Sequence, residues 1–228
     1  MDDLDKAVEE LRKGNFVLVH DSETRENETD MVMAAEHAKP SDVARMRTDA
    51  GGLICIAMGR EMAERLEMPF LSDIYGIAEK EYVILEYMEA KDLRYDKNSA
   101  FSVSINHRKT FTGITDTDRA LTLSEFGKFC KEAPETNKYL LQKEFGKRFR
   151  SEGHVPLLIS SGLDVRQGHT ELTVELMKKA ALAPAAAICE MLDSRTGKAL
   201  SCEEARAYAK KNSFPYLEAE DITESCKK

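Results

Sequence analysis

No two of the five cysteines, Cys55, Cys130, Cys189, Cys202 and Cys226, make a C-x-x-C pair, and their number is odd. That scatter argues against a disulfide framework and a structural zinc site, and fits a reducing cytosol. The first residues, Met1-Asp2-Asp3-Leu4-Asp5-Lys6, lack the basic and apolar regions of a signal peptide. Nor does any apolar run approach the roughly 18 residues that a membrane span needs. A cytoplasmic, unanchored protein with no membrane partner is therefore expected. Gly (12) and Pro (6) are too few for a collagenous or disordered chain. A basic excess is also missing, because 41 acidic residues face 33 basic ones and leave a net charge of −8. This balance disfavours a phosphate-backbone footprint and hence a nucleic-acid partner. No repeat, low-complexity tract or Pro/Gly/Ser linker divides the chain.

The 228 residues, 42% apolar and 32% charged, suffice for one generous globular domain. Leu4, Ala7, Val8 and Leu11 recur at helical spacing before a capping Gly14, and residues 16–19 read as a buried strand. A polar segment, 22–30, precedes an apolar return over 31–35. Helices are expected over 41–50, 61–66, 123–132, 170–182 and 201–211, the last opened by the capping box Ser201-x-x-Glu204. Strands are expected over 53–57, 101–105, 155–159 and 185–192. Residues 70–100 show no clear period, and the charge-rich stretch 133–150 reads as a long loop. The elements together imply an α+β fold, a single domain over 1–228 with a mixed β-sheet flanked by helices.

Two segments carry chemistry. Between the first strand and the apolar return, Asp21, Glu23, Glu26, Glu28 and Asp30 crowd around a single cation, Arg25. Like charges held this close need a divalent cation, a shared proton or a nearby Arg, and magnesium suits oxygen ligands. A solvated acidic turn would carry the same composition, but loops leaving core strands are where ligand groups concentrate.

The second segment, Arg166-Gln167-Gly168-His169-Thr170-Glu171, lies directly before an amphipathic helix marked by Leu172, Leu176 and Ala180. A helix amino end offers unpaired N–H groups, Gly168 permits close approach, Arg166 brings a permanent cation and Thr170 a hydroxyl, which together suit a phosphate monoester. His169 can offer a neutral imidazole to a metal, although a helix cap at Thr170 and a surface histidine would look the same.

The motifs Arg25-Glu26-Asn27-Glu28-Thr29-Asp30, Phe111-Thr112-Gly113-Ile114-Thr115, Gly153-His154-Val155, Arg166 through Glu171, and Cys189-Glu190-Met191 resemble those of 3,4-dihydroxy-2-butanone 4-phosphate synthase, in the family's order and across nearly the whole chain. The resemblance implies conversion of D-ribulose 5-phosphate into 3,4-dihydroxy-2-butanone 4-phosphate and formate in riboflavin biosynthesis, with Mg2+ or Mn2+. It also implies a homodimer with active sites at the subunit interface. By the same resemblance Glu26 and His169 ligate the metal, Arg25, Glu26 and Asp30 contact substrate, and Arg166, Gln167, Gly168, His169 and Thr170 hold its phosphate end. His154 and Glu190 are catalytic, Glu190 also contacting substrate, with Asp21, Glu28 and Cys55 in supporting catalytic places and Thr112 in a supporting substrate-binding one. Thr29 and Glu152 depart from the family's usual residues, a small residue and a proline, without removing a chemical group. The chain has no cysteine trio for the zinc of a GTP cyclohydrolase domain, so a monofunctional enzyme is expected. Rival readings are another metal-dependent sugar-phosphate isomerase or aldolase, or a non-catalytic phosphate-binding relative. Without the family, Glu190 would read as a strand end, His154 as a turn residue and Cys55 as a small buried hydrophobe.

Overall fold

Apolar residues at helical spacing open the chain as α1 (Asp3–Lys13), which buries Ala7 and Leu11 and stops at Gly14 in the left-handed region, φ 79°. Here and below, the computed structural model describes residues 2–90, 92, 96, 99–133 and 137–226. The strands β1 (Val17–His20) and β2 (Thr29–Ala34) are buried at every position, as strands covered on both faces should be. β2 begins two residues before the apolar run and so draws Asp30 into the sheet. Next come α2 (Pro40–Arg45), extended by a π-helical turn over Met46–Ala50, then β3 (Cys55–Met58), α3 (Arg60–Leu66), α4 (Leu71–Ala78) and α5 (Ile84–Tyr87). The chain continues through β4 (Phe101–His107), α6 (Asp116–Glu132), α7 (Lys138–Arg148), β5 (Phe149–Ile159) and α8 (His169–Lys179). It ends with β6 (Ala185–Glu190), the short ribbon β7 (Leu192–Asp193) and β8 (Lys198–Ala199), α9 (Cys202–Asn212), β9 (Tyr216–Glu218) and α10 (Ala219–Ser225).

Seven strands pair in the order β4-β5-β3-β6-β2-β1-β9. The β3/β5 and β1/β9 pairs are parallel and the rest antiparallel, which makes the expected mixed sheet. One face is covered from α1, α8 and α10, where Leu11, Leu172, Leu176 and Ile222 meet Val17, Val32, Ala57 and Ile188. The other face packs Met31, Met33, Ile56 and Leu157 against Val43, Leu123 and Phe126. Alternation along each strand sends Met31 and Cys189 to the second face, and their neighbours Asp30 and Glu190 to the α8 face. The candidate site lies there, and no described helix is long and apolar enough to cross a membrane.

The stretch 133–150, expected as a loop, instead holds α7 and the start of β5. Few apolar positions fix this helix: Leu141 is buried, and Phe145 packs its ring against Phe129 and Phe149 with centroids 5.4 and 4.9 Å away. Charged residues fill the rest of its surface, which hid the helical period; residues 134–136 lie outside the described residues. Within 70–100, α4 and α5 bury no residue fully, so no period marks them. Residues 91, 93–95, 97 and 98 are outside the described set. β5 and α6 extend well beyond the expected 155–159 and 123–132, because their amino halves carry polar residues.

Candidate active site

The loop between β1 and β2 is organised by a buried carboxylate. Asp21 is 0% exposed; its Oδ2 accepts from Glu26 N at 3.0 Å and its Oδ1 from Glu28 N at 3.1 Å. Arg25 also donates to Asp21 Oδ2 at 3.1 Å. These bonds fold the loop so that Glu26 Oε2 stands 3.3 Å from Nδ1 of His169, the first residue of α8. The opposite ring nitrogen, Nε2, donates to Glu28 O at 3.2 Å and lies 3.7 Å from Asp30 Oδ1. One ligand atom each from Asp21, Glu26 and His169 falls within 4.8 Å of the others. Both Asp21 oxygens serve the backbone, which leaves Glu26 and His169 as the pair able to turn to an ion. A histidine that ligates through one nitrogen while a carbonyl fixes the other is the usual arrangement around metals.

The electrostatics fit a cation. Burial disfavours charge on Glu26, but His169, Arg25 and Arg166 together bring its carboxyl down to about 2. Burial likewise opposes charge on His169, yet the Asp30, Glu26 and Asp21 carboxylates raise its imidazole to about 9. Asp30 is pushed up to about 8, first by burial and then by Glu190, Glu26 and Glu28, against the pull of His169. Its Oδ1 is a buried oxygen with no hydrogen-bond partner among the described residues. A histidine proton and the neighbouring guanidiniums balance these carboxylates in the chain by itself, and a divalent ion with oxygen-rich coordination suits the place of that proton.

Arg166 lies 2.7 Å from Glu171 Oε2 and 2.7 Å from Asp96 Oδ2, and Asp96 also pairs with Arg25. One carboxylate thus bridges two guanidiniums, a spacing that suits one anion. Gly168 leaves room for them: a Cβ there would come within 2.6 Å of Arg25 Nη2 and 2.8 Å of Arg166 Nη1 and would push the two guanidiniums aside. Fully buried Glu171 holds the turn into α8, accepting from Gly168 N at 3.2 Å and Ser161 N at 2.9 Å. A cavity of about 270 Å³ opens here, lined by Glu26, Asp30, Arg166, His169, Thr170 and Glu190 among others. Thr170 is buried, whereas Gln167 is exposed on a neighbouring cleft that Arg25, Asp96 and Arg166 share.

Asp30 and Glu190 are register partners in the β2/β6 pair. Glu190 Oε2 accepts from Leu53 N at 2.7 Å, and a Cβ at Gly52 would clash with that oxygen at 2.3 Å. Gly52, before β3, therefore lets the carboxylate in. Glu28 is half-buried, and its carboxyl is raised by burial and by the Glu26 and Glu190 charges. Cys55 faces the same side, one residue pair further along β6 beside Ile188; burial first, then Glu190 and Asp30, push its thiol well up, so it packs as a neutral group.

His154 and Thr112 form a separate group that does not line this cavity. The β4/β5 ladder jumps between Ile105↔Val155 and Asn106↔Arg150, so residues 151–154 bulge from it. Asn106 fixes exposed His154 twice: its Oδ1 accepts from His154 N at 2.9 Å, and its Nδ2 donates to Nδ1 at 3.1 Å. The neutral ring then carries its proton on Nε2. Asp118 gathers the Thr112 loop, accepting from Gly113 N at 2.8 Å, Thr112 N at 3.2 Å and Phe111 N at 3.3 Å. Those N–H groups, Gly113 first, hold its carboxyl below the usual range. Gly113, at φ 95°, rests directly against Asn106. Of the two departures in sequence, Thr29 is fully buried at the start of β2 and Glu152 is exposed in the bulge.

Glu171 stood in the Arg166 run without a role, and Asp96, Asn106 and Asp118 were not marked in the sequence. Glu171 and Asp118 each had a local signal, an acidic residue at the third position of a helix where it can cap the turn.

A family model described as 3,4-dihydroxy-2-butanone 4-phosphate synthase matches residues 5–225. The protein so named from Methanothermobacter thermautotrophicus is 44% identical over 224 residues, 97% of this chain and 95% of its own. Its namesake from Archaeoglobus fulgidus is 45% identical over 229 residues, covering 99% of this chain and 94% of the relative. Among solved structures, a 3,4-dihydroxy-2-butanone 4-phosphate synthase in cation-free form aligns with TM-score 0.76 and 26% identity over 100% of this chain and 98% of that one. Another, in complex with two magnesium ions, aligns with TM-score 0.74 and 28% identity over 97% and 95%.

Proposed function

The chain belongs to the 3,4-dihydroxy-2-butanone 4-phosphate synthase family, and on that premise we propose how its own residues divide the work. Its function is the family's, a divalent-metal-dependent enzyme of riboflavin biosynthesis that converts D-ribulose 5-phosphate into L-3,4-dihydroxy-2-butanone 4-phosphate and formate. Glu26 and His169 hold Mg2+ or Mn2+, a role supported by their 3.3 Å approach and by the Glu28 carbonyl that orients the ring. Held by Glu26 and His169, such an ion would supply Lewis-acid stabilisation of negative charge on the sugar's oxygens.

Arg166 and Thr170, with Gly168 and Gln167 beside them, hold the phosphate, and the anion-sized gap that Asp96 bridges between Arg166 and Arg25 supports this placement. Fixing that remote end lets binding energy orient the reacting carbons. Arg25 and Asp30 contact substrate oxygens, and the unpartnered Asp30 Oδ1 is matched to a hydroxyl donor. Glu190 and Glu28 exchange protons with the sugar from the sheet side, where raised Glu28 can hold a proton near neutral conditions better than an exposed glutamate. Asp21 and Cys55 act by position, Asp21 by folding the loop and Cys55 by packing beneath Glu190.

His154 and Thr112 enter from a second subunit in a homodimer whose active sites lie at the interface. Two features support this: neither residue lines the cavity, and beside Thr112 the side chains of Phe111 and Ile114 are 91% and 50% exposed, apolar surface suited to a partner. One catalytic domain uses the whole chain on this reading, in the cytoplasm, where five free cysteines are at home.

The observation that carries the reading is the meeting of the Glu26–His169 pair with Arg166 in one cavity, Arg25 being joined to it through Asp96. Purified protein given ribulose 5-phosphate and Mg2+ should release formate, and chelator should stop it. Recovery of only an isomerised or cleaved sugar would point to the isomerase or aldolase alternative, and no turnover to a binding relative.

A further inference from the structure

Behind the β1–β2 loop stands a second group of reactive side chains that this reaction does not use. Cys202, the first residue of α9, places Sγ 3.2 Å from His20 Nε2. His20 closes β1 and is 4% exposed, and its Nδ1 lies 2.5 Å from Glu218 Oε2. The other Glu218 oxygen pairs with Arg206, whose guanidinium sits 4.3 Å above the Tyr216 ring. Nδ1–H donates to Glu218, and Nε2 faces two groups, Cys202 Sγ and Asn27 Oδ1, the second of which can only accept; once the Cys202 proton has passed to Nε2, that N–H donates to Asn27 and to the sulfur. Thiol, imidazole and carboxylate thus stand in series, the order in which a base that is itself oriented can take a thiol proton. The amino end of the 11-residue α9 adds a dipole that favours negative charge on sulfur. Cys55, Cys130 and Cys189 are buried, whereas Cys202 is partly exposed.

We propose that Cys202 is a covalent modification site, a nucleophilic thiol that exchanges with small-molecule disulfides of the glutathione type. Cys202 passes its proton to His20 Nε2, and Sγ attacks one sulfur of the disulfide. The S–S bond breaks, a mixed disulfide forms on Cys202, and the second sulfur leaves as a thiolate that takes the proton from His20. The disulfide is the only oxidant the exchange needs.

The modification reaches the active site through Asn27. Its Oδ1 lies 3.1 Å from His20 Nε2 and 3.8 Å from Cys202 Sγ, and the residue stands between Glu26 and Glu28 in the loop, at φ 55°. A group attached to Sγ displaces the Asn27 side chain and loosens the loop that presents Glu26 to His169. This effect on turnover rests on the functional reading above; the reactivity of the thiol does not.

The test treats the Mg2+-loaded full-length protein with oxidised glutathione and follows each cysteine by mass spectrometry alongside formate release. Cys202 should be modified about tenfold faster than exposed Cys226, and His20→Gln should abolish that advantage. Formate release should fall as Cys202 is modified and return on reduction, while Cys202→Ser should keep its activity and ignore the disulfide. Equal rates at Cys202 and Cys226, or full activity in protein modified at Cys202, would overturn the proposal. If unmodified protein released no formate, the functional reading would fail, and the ratio of the two labelling rates would still decide the thiol.

Discussion

Around His169, carboxylates and guanidiniums balance one another out of water, whereas around His154 a neutral amide and a loop gathered by Asp118 do the positioning in the open. Asp21 and Glu171, both 0% exposed, spend their oxygens on backbone N–H groups and arginines, so the first region is set by the chain's own fold. The second leaves His154 exposed, held at Nδ1 by Asn106, and Phe111 at the surface. Buried charges are costly to leave unpaired, so a change in the first region acts on stability and ion binding together. A change in the second should act on turnover alone.

The largest effect belongs to the ion pair. Glu26→Ala or His169→Ala should lower kcat/KM by more than about 1000-fold, since several kcal/mol of charge stabilisation go with the ion, and Mn2+ titration should find no tight site. The contrast itself is tested by Glu171→Ala against His154→Ala. The first takes away the acceptor of Gly168 N and Ser161 N and one of the two carboxylates on Arg166, Asp96 remaining, and should cost about 1–3 kcal/mol in denaturant unfolding. The second should lower kcat about 100-fold with an unchanged unfolding midpoint, and Asn106→Ala should show a weaker form of the same loss. Equal destabilisation by the two would erase the distinction. Mixing the inactive Glu26→Ala and His154→Ala proteins should restore part of the activity if their sites join across a dimer, and none if each subunit works alone.

The smallest effect is in pH dependence. In the metal-free protein the His169 proton is held more tightly than in the unfolded chain, about 9 against 6.5. Its contribution is therefore complete below pH 6.5 and lost as pH rises through about 9. Mn2+ replaces the proton, so it should raise the thermal midpoint more at pH 9 than at pH 6.5, at about 2–4 °C per kcal/mol. His169→Gln should remove that difference.

Much of this arrangement was legible in sequence because it is local. The acidic loop follows a strand, and the Arg166-to-Glu171 run opens a helix, so spacing and residue type already describe ligand groups at element ends. What stayed hidden depends on tertiary contact. Asp96 meets Arg25 from 71 residues away, and Asn106 meets His154 from 48, with no pattern linking either pair. Cys202 and His20, 182 residues apart, come together because α9 packs on β1, and β9 beside β1 brings Glu218 to the same histidine. α7 was missed for a different reason: Leu141 and the Phe145 ring anchor it while charges cover the remainder, too thin a stripe to give a period.

The most direct measurement is an anomalous difference map from crystals soaked with Mn2+ and ribulose 5-phosphate. The account predicts a metal peak contacted by Glu26 Oε2 and His169 Nδ1, with the sugar phosphate beside Arg166. A peak bound elsewhere, with those two side chains still facing each other and no metal between them, would contradict it.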